Sequence, residues 1–151
     1  MKKLNLKNIL VGLLIILVVM QVFSIDKTNP PIDEKLDFFS TVQVPEDVNT
    51  MLKYSCVDCH SHSSKYPWYT NIEPISWWIK GHIKGGLQHL NFSVWQAYDA
   101  PKRRHKIDEC IEVLEQERMP IKSYTWAHKE AKLTDEDRKR LIVFFESLRD
   151  M

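Results

Sequence analysis

Residues 53–69 read KYSCVDCHSHSSKYPWY. Two cysteines, Cys56 and Cys59, stand three positions apart, and His60 follows the second one directly. In a helix, positions i, i+3 and i+4 lie on one face, so this spacing brings two thiols and an imidazole together. Such a group can hold a haem, hold a zinc ion, or cycle between dithiol and disulfide. The rest of the chain has to discriminate among these chemistries.

The order C-x-x-C-H favours covalent haem attachment. The thiols of Cys56 and Cys59 can add across the two vinyl groups of one haem, and the imidazole of His60 then supplies the proximal iron ligand. Zinc is a rival, with His60 or His62 completing the ligands, but no second cysteine pair is present for a four-ligand site. A redox dithiol usually follows a strand, whereas this pair follows a predicted helix. A simple disulfide is the remaining alternative in an exported chain.

A second axial ligand is the next question. Met119 stands in the sequence RMPIKSY, about sixty residues after the motif, and a His/Met iron would have a raised reduction potential. Methionine at a helix end is otherwise often core filler. The competing histidines are His82, His89, His105 and His128. Among them His128 is the alternative distal ligand, because it also follows the Met119 loop.

Residues 1–25 have a composition of their own. Lys2, Lys3 and Lys7 precede an unbroken apolar run over residues 9–20. This pattern is typical of a single membrane anchor or a signal peptide, although the run is short for a span of roughly 20 residues. We favour an uncleaved anchor over a removed signal. In both cases the lysines stay in the cytoplasm and the rest of the chain is exported to the periplasm.

The remaining chain predicts an all-α fold. Pro30 and Pro31 indicate an extended tether over residues 26–44. One helical domain over residues 45–151 follows, which is a suitable length for a single core. Helices are predicted after Pro45, from Pro101 to Met119, and after an N-capping threonine near the C-terminus. The predicted core-facing positions of the last two helices are Ile107, Cys110, Ile111, Leu114, Leu141, Phe144, Phe145 and Leu148.

The charge of the chain argues against a nucleic-acid partner. The net charge is +1, and removing the first 24 residues with their three lysines leaves about −2, with histidine neutral. A nucleic-acid-binding domain would show a basic stripe instead.

Several segments, taken in order, resemble c-type cytochromes and, more narrowly, the small exported haem-binding domain proteins of bacteria. They are NPP after the apolar run, CVDCHS, YPWYTNIEPISWW, GGLQHLNFSVW, MP followed by a tyrosine, and LTDEDR. The likeness covers roughly residues 26–148. It implies a cytochrome c-like helical domain around one covalent haem c. It also implies attachment at Cys56 and Cys59, with His60 as the proximal and Met119 as the distal ligand.

These features together predict a membrane-tethered, periplasm-facing monohaem cytochrome. It would transfer single electrons to or from a redox partner protein that the sequence does not identify. An electron carrier is favoured over an enzyme. The alternatives are a haem peroxidase, a gas or redox sensor, and a zinc-binding module that uses the same cysteines.

Overall fold

The computed structural model describes residues 5–149, and every regular element in that range is helical. The prediction of an all-α fold is confirmed. Three short 3₁₀ helices over Trp68–Asn71, Phe92–Ala97 and Lys129–Ala131 connect the α-helices. The α-helices are α1 (Leu6–Met20), α2 (Phe38–Thr41), α3 (Glu46–Ser55), α4 (Val57–His60), α5 (Ile75–His89), α6 (Ala100–Glu115), α7 (Lys122–Ala127) and α8 (Asp135–Ser147).

Helix α1 carries the apolar N-terminal run, and its large apolar side chains are exposed. It has 15 residues, which corresponds to about 22 Å at about 1.5 Å per residue. A bilayer core is about 30 Å thick. Across residues 5–149, no helix combines the length and the apolar character needed to cross a membrane. The predicted transmembrane helix is therefore not confirmed, and Lys2 and Lys3 lie outside the described residues.

The segment over residues 26–44, predicted as a tether, is packed onto the domain. Its first part is extended, as the two prolines indicate. The side-chain amide of Asn29 nevertheless donates a hydrogen bond to the carbonyl oxygen of Ser64 at 2.9 Å. Its second part forms α2, and Phe38 is fully buried with its ring centroid 5.1 Å from that of Phe92. The prolines keep their own segment extended, while the burial of Phe38 packs the following residues onto the domain, so the folded domain begins before residue 45.

The hydrophobic core lies among α3, α6, α8 and the aromatic segment that follows α5. The core-facing positions predicted for α6 and α8, apart from Cys110, are buried, as their helical spacing indicated. Cys110 is partly buried and packs against this core, as expected for a small apolar side chain. The buried core residues are Phe38, Val48, Leu52, Leu90, Phe92, Trp95, Ile107, Ile111, Leu114, Leu133, Leu141, Phe144, Phe145 and Leu148.

Helix α8 begins at a capping box. The hydroxyl of Thr134 accepts the amide N–H of Asp137 at 3.1 Å, and the carboxylate of Asp137 accepts the amide N–H of Thr134 at 2.8 Å. These bonds satisfy two backbone N–H groups that have no partner within the helix. The acidic residues of the first turn also interact favourably with the helix dipole. The cap fixes where α8 starts against α3 and α6.

Candidate functional site

The CxxCH motif (Cys56–His60) occupies one turn of helix between two longer segments. The predicted helix from Pro45 does not continue through the motif, because it is interrupted at Cys56 with φ −129° and ψ −45°. A new turn, α4, begins there. The carbonyl oxygen of Cys56 accepts the amide N–H groups of Cys59 and His60 at 3.1 and 3.0 Å. The i, i+3, i+4 relation of the three functional side chains is therefore kept within this single turn.

Helix α5 approaches this turn backbone to backbone at Gly86. A Cβ atom on Gly86 would lie 2.4 Å from the carbonyl oxygen of Cys59 and 3.2 Å from its Cβ. A Cβ atom on the neighbouring Gly85 would meet nothing within 4 Å. Gly86 is thus the position at which a side chain would push α5 away from the motif.

The backbone of α5 also sets the tautomer of His60. Its Nδ1 atom lies 3.0 Å from the carbonyl oxygen of Gly86 and 3.1 Å from that of Leu90. Carbonyl oxygens only accept hydrogen bonds, so Nδ1 carries the proton and Nε2 keeps its lone pair. Burial lowers the pKa of His60, which favours the neutral ring. A metal-bound histidine usually has this kind of backbone bond at its other nitrogen, so His60 fits an axial ligand.

The thiols do not fit a redox dithiol. Burial raises the pKa of the Cys56 thiol to about 12 and that of the Cys59 thiol to about 11. Reactive dithiols have a lowered pKa instead. All three cysteines of the chain, including Cys110, have free thiols. The raised pKa values weaken the redox-dithiol interpretation.

The arrangement of side chains also weakens the zinc interpretation. Within residues 5–149, no three or more histidine, cysteine, aspartate or glutamate side chains converge as a metal site would require. Two thiols and one imidazole on a single turn fall short of a closed tetrahedral site. The same set has the composition that a haem needs, namely two thiols for the vinyl groups and one imidazole for the iron.

The α7 segment, residues 121–131, lies against the motif. The hydroxyl of Tyr124 donates to Oδ2 of Asp58 at 2.8 Å and lies 3.2 Å from the carbonyl oxygen of Tyr54. Burial, together with the hydrogen bond to Asp58, raises the pKa of Tyr124, so the hydroxyl keeps its proton. At the other end of the segment, the hydroxyl of Ser55 donates to the carbonyl oxygen of Ala131 at 3.1 Å. The chain that follows Met119 therefore returns to the motif.

The two candidate distal ligands, Met119 and His128, stand on either side of α7. Met119 is half-buried, and its carbonyl oxygen accepts Nη1 of Arg138 at 2.6 Å. His128 is engaged at both ring nitrogens. Its Nδ1–H donates to Glu130 at 3.3 Å, and its Nε2 accepts the hydroxyl of Tyr69 at 2.6 Å. Ligation by His128 would break one of these bonds, whereas ligation by the Met119 thioether would not, which favours Met119.

The other candidate histidines lie on exposed helix surfaces. His82 and His89 are exposed on α5, and Nδ1 of His82 bonds to the carbonyl oxygen of Trp78 on its own helix at 2.9 Å. His105 is exposed on α6, where its ring nitrogen lies 3.5 Å from a carboxylate oxygen of Glu109. These positions are typical of surface histidines.

Sequence reasoning missed two parts of the site. Asp58 stands inside the motif, but its position between the cysteines carries no signal for a bond to Tyr124, 66 positions further along the chain. Gly86 had a usable signal. A pair of glycines inside an otherwise helical segment weakens the helix, and a residue without a Cβ atom permits the close approach of a second backbone.

Comparison with known proteins gives one family. The sequence profile described as a haem-binding domain matches residues 15–147, a range that includes the motif, α5, Met119 and the α7 segment. Neither the curated proteins nor the solved structures give a significant match. The profile agrees with the His60 geometry and with the resemblance seen in the sequence. The chain belongs to the haem-binding domain family.

Proposed function

We propose that the protein is an exported monohaem c-type cytochrome that transfers single electrons. The observation that supports this most directly is the fixed tautomer of His60, with Nδ1 on the carbonyl oxygens of Gly86 and Leu90 and Nε2 free. Membership of a haem-binding family identifies haem as the cofactor. The adjacent thiols of Cys56 and Cys59 could attach it covalently. When bound, the haem supplies a one-electron Fe(II)/Fe(III) couple.

The residues of the motif have separate roles in this proposal. Cys56 and Cys59 would hold the haem covalently: each S–H bond would add across one vinyl C=C bond, sulfur to one carbon and hydrogen to the other, with no net oxidation. Nε2 of His60 is the proximal ligand. The α5 backbone holds the ring by its Nδ1–H, which also makes the imidazole a stronger donor. These roles need neither an ionised thiolate nor a proton change at His60.

Met119 is the distal ligand in this proposal. A thioether ligand raises the reduction potential and closes the sixth position. A closed position suits electron transfer, in which no substrate binds to the metal. Peroxidase activity and gas sensing both require an open or easily opened position. The engaged ring nitrogens of His128 support Met119 over the histidine alternative.

We further propose that the N-terminal segment directs export and attaches the domain to the inner membrane on its periplasmic side. The exposed apolar surface of α1 supports this. The residues that follow α1 are bound to the start of α5. The backbone N–H of Glu73 donates to the side-chain oxygen of Gln21 at 3.0 Å. The indole N–H of Trp77 donates to the carbonyl oxygen of Phe23 at 2.7 Å.

Cell fractionation tests this location. If the protein keeps its N-terminus and still pellets with the membranes after a carbonate wash, then the chain is attached to the membrane. A protein that is released with the periplasmic fraction and begins after residue 24 would show that the segment is a cleaved signal. Recovery in the cytoplasm would contradict export altogether.

A haem stain after denaturing electrophoresis tests covalent attachment. The chain is expressed together with cytochrome c maturation machinery, beside the variants Cys56→Ala, Cys59→Ala and Cys110→Ala. We expect the stain to weaken in the first two variants and to vanish when both are combined. Cys110→Ala is the matched control, because this thiol packs against the core and should leave the stain intact. A colourless wild-type protein that binds one zinc ion would contradict the proposal.

The reduced spectrum tests the proximal ligand. His60→Ala should abolish the low-spin spectrum, and the matched control His105→Ala, on the exposed surface of α6, should preserve it. An unchanged spectrum in His60→Ala would refute the assignment. A wild-type protein that is already high-spin would favour the peroxidase or sensor function over electron transfer.

A further inference from the structure

The main chain at Met119 is held on both sides. On one side, Nη1 of Arg138 on α8 donates to the carbonyl oxygen of Met119 itself at 2.6 Å. On the other side, the chain enters α7, where Tyr124 lies five positions further on. The two anchors leave a short connection between them. The main chain at Met119 is therefore held between Arg138 and the attachment of α7.

Tyr124 attaches α7 to the turn that carries the haem motif. Its hydroxyl donates to the carboxylate of Asp58, the residue that directly precedes Cys59. Its ring stacks on the imidazole of His128, with ring centroids 4.4 Å apart and planes inclined by 19°. His128 in turn accepts the hydroxyl of Tyr69. One tyrosine thus joins the segment after Met119 to the motif and to the loop that precedes α5.

A single hydroxyl can matter here because its acceptor is charged and the contact is partly buried. Hydrogen bonds to charged groups contribute about 1.5–3 kcal/mol, roughly twice the contribution of neutral ones. The methionine–iron bond is a weak contact that an external ligand can displace. The strength of the attachment therefore decides how much of the time the thioether stays in place.

From this geometry we propose that Tyr124, through its hydrogen bond to Asp58, positions Met119 at the sixth coordination position of the haem iron. The proposal rests on the function proposed above, since it requires a haem held by His60. Tyr124 is a positioning residue, because it acts through Met119 and Asp58. The bond from Arg138 fixes the main chain near the methionine, and the bond from Tyr124 ties that chain to the proximal side of the site.

Carbon monoxide binding to the reduced, haem-loaded protein tests the proposal, because the gas competes with the distal ligand only. Tyr124→Phe removes the hydroxyl and keeps the ring stack on His128. Asp58→Ala removes the acceptor, whereas Asp58→Asn keeps an oxygen that accepts the tyrosine hydroxyl. Tyr66→Phe is the matched control, since the hydroxyl of Tyr66 lies 3.4 Å from the Lys80 amine and has no bond to the α7 segment.

We expect Tyr124→Phe and Asp58→Ala to raise the apparent affinity for carbon monoxide about tenfold or more, as loss of a charge-assisted hydrogen bond would. Asp58→Asn keeps an acceptor but loses its charge, so its affinity should fall between those of the wild type and Asp58→Ala. Tyr66→Phe should stay close to the wild type. The haem stain should be equal in all four variants. A general loss of packing would instead lower the unfolding temperature and affect both aspartate variants alike.

Two results overturn the proposal while leaving covalent haem attachment intact. One is an unchanged carbon monoxide affinity in Tyr124→Phe and Asp58→Ala. The other is a wild-type protein that binds the gas as readily as Met119→Ala, which would mean that Met119 is no ligand. Absence of the haem stain in the wild type is a different failure, because it removes the proposed function itself. Amide hydrogen exchange over residues 119–128 gives a second readout, and faster exchange is expected in Tyr124→Phe but not in Tyr66→Phe.

Discussion

Replacing Gly86 by alanine tests whether α5 holds the motif by direct backbone contact. The added Cβ atom would lie 2.4 Å from the carbonyl oxygen of Cys59, and protein Cβ atoms essentially never come closer than 3.0 Å to a heavy atom of a residue that is not a chain neighbour. Relief of the clash needs a displacement of at least about 0.6 Å between α5 and α4. Neither partner atom can rotate away, since the contact is with backbone. The helices themselves must move.

The neighbouring Gly85 is a matched control, because it lies on the same helix, is also half-buried, and has open space for a Cβ atom. Gly85→Ala should stabilise the protein by about 0.4–1 kcal/mol through lower entropy of the unfolded chain. Gly86→Ala should gain the same stability from the unfolded chain, but overpacking should lower the free energy of unfolding by about 1–3 kcal/mol. For a chain of this length, a difference of about 1–3 kcal/mol corresponds to a difference in unfolding temperature of roughly 2–12 °C.

The same displacement should affect the site. It would lengthen the contact between Nδ1 of His60 and the carbonyl oxygen of Gly86 from 3.0 Å to beyond hydrogen-bonding range. Thermal unfolding and the reduced spectrum of the haem-loaded variants measure both effects. Gly86→Ala should unfold at the lower temperature and show an altered spectrum, while Gly85→Ala should keep the wild-type spectrum. If Gly86→Ala proves as stable as Gly85→Ala, the backbone contact does not hold the motif.

Three further predictions concern the scaffold. Phe38→Ala should destabilise the protein by about 3–5 kcal/mol in denaturant unfolding, because it removes a fully buried ring from the core, and a tether residue would show almost no effect. Thr134→Ala should cost about 1 kcal/mol in the same assay by removing the α8 capping box, and an unchanged midpoint would contradict that role. The hydrogen bond from Arg140 lowers the pKa of Asp47. Because the ionised carboxylate is favoured in the folded protein, the pair stabilises the fold at neutral pH, and this contribution is lost as the pH falls below about 4. Asp47→Asn should therefore flatten the acid limb of the curve of unfolding temperature against pH, and an identical limb would show that the pair contributes nothing.

The helices of the core were predictable because their signals are local. Buried positions on α6 and α8 follow helical spacing, and Thr134 is a capping residue followed three positions later by an acid. The interruption at Cys56 has no comparable signal, since its neighbours are ordinary helix formers. It depends on α5 packing against the following turn, which is a tertiary contact between distant segments. Helical spacing places Cys56 and Cys59 on the apolar face of the preceding helix, but packing divides this stretch into α3 and α4.

The tether prediction differed from the structure for a similar reason. Pro30 and Pro31 do keep their segment extended. The sequence of that segment does not reveal that Phe38, a few positions later, has a complementary aromatic cluster around Phe92 and Trp95. A proline pair excludes a helix, but it does not exclude packing of the extended chain onto a surface. Haem binding was predictable from the motif because its spacing is local. The partners that orient the motif were not, because they come from α5 and α7.

The two sides of the proposed haem site are held by different elements, and this separation has a consequence for substitutions. The proposed proximal ligand, His60, is oriented by the backbone carbonyls of Gly86 and Leu90, which side-chain substitutions elsewhere do not remove. The distal candidate Met119 depends on side-chain bonds from Arg138 and Tyr124. Changes in the α7 segment should therefore open the sixth position while the haem stays attached. Changes at the contact between α5 and the motif should disturb the proximal ligand first. An electron carrier needs both sides closed. The weaker, side-chain-held distal side is the place where small sequence changes would convert this scaffold into one that binds a gas or a peroxide.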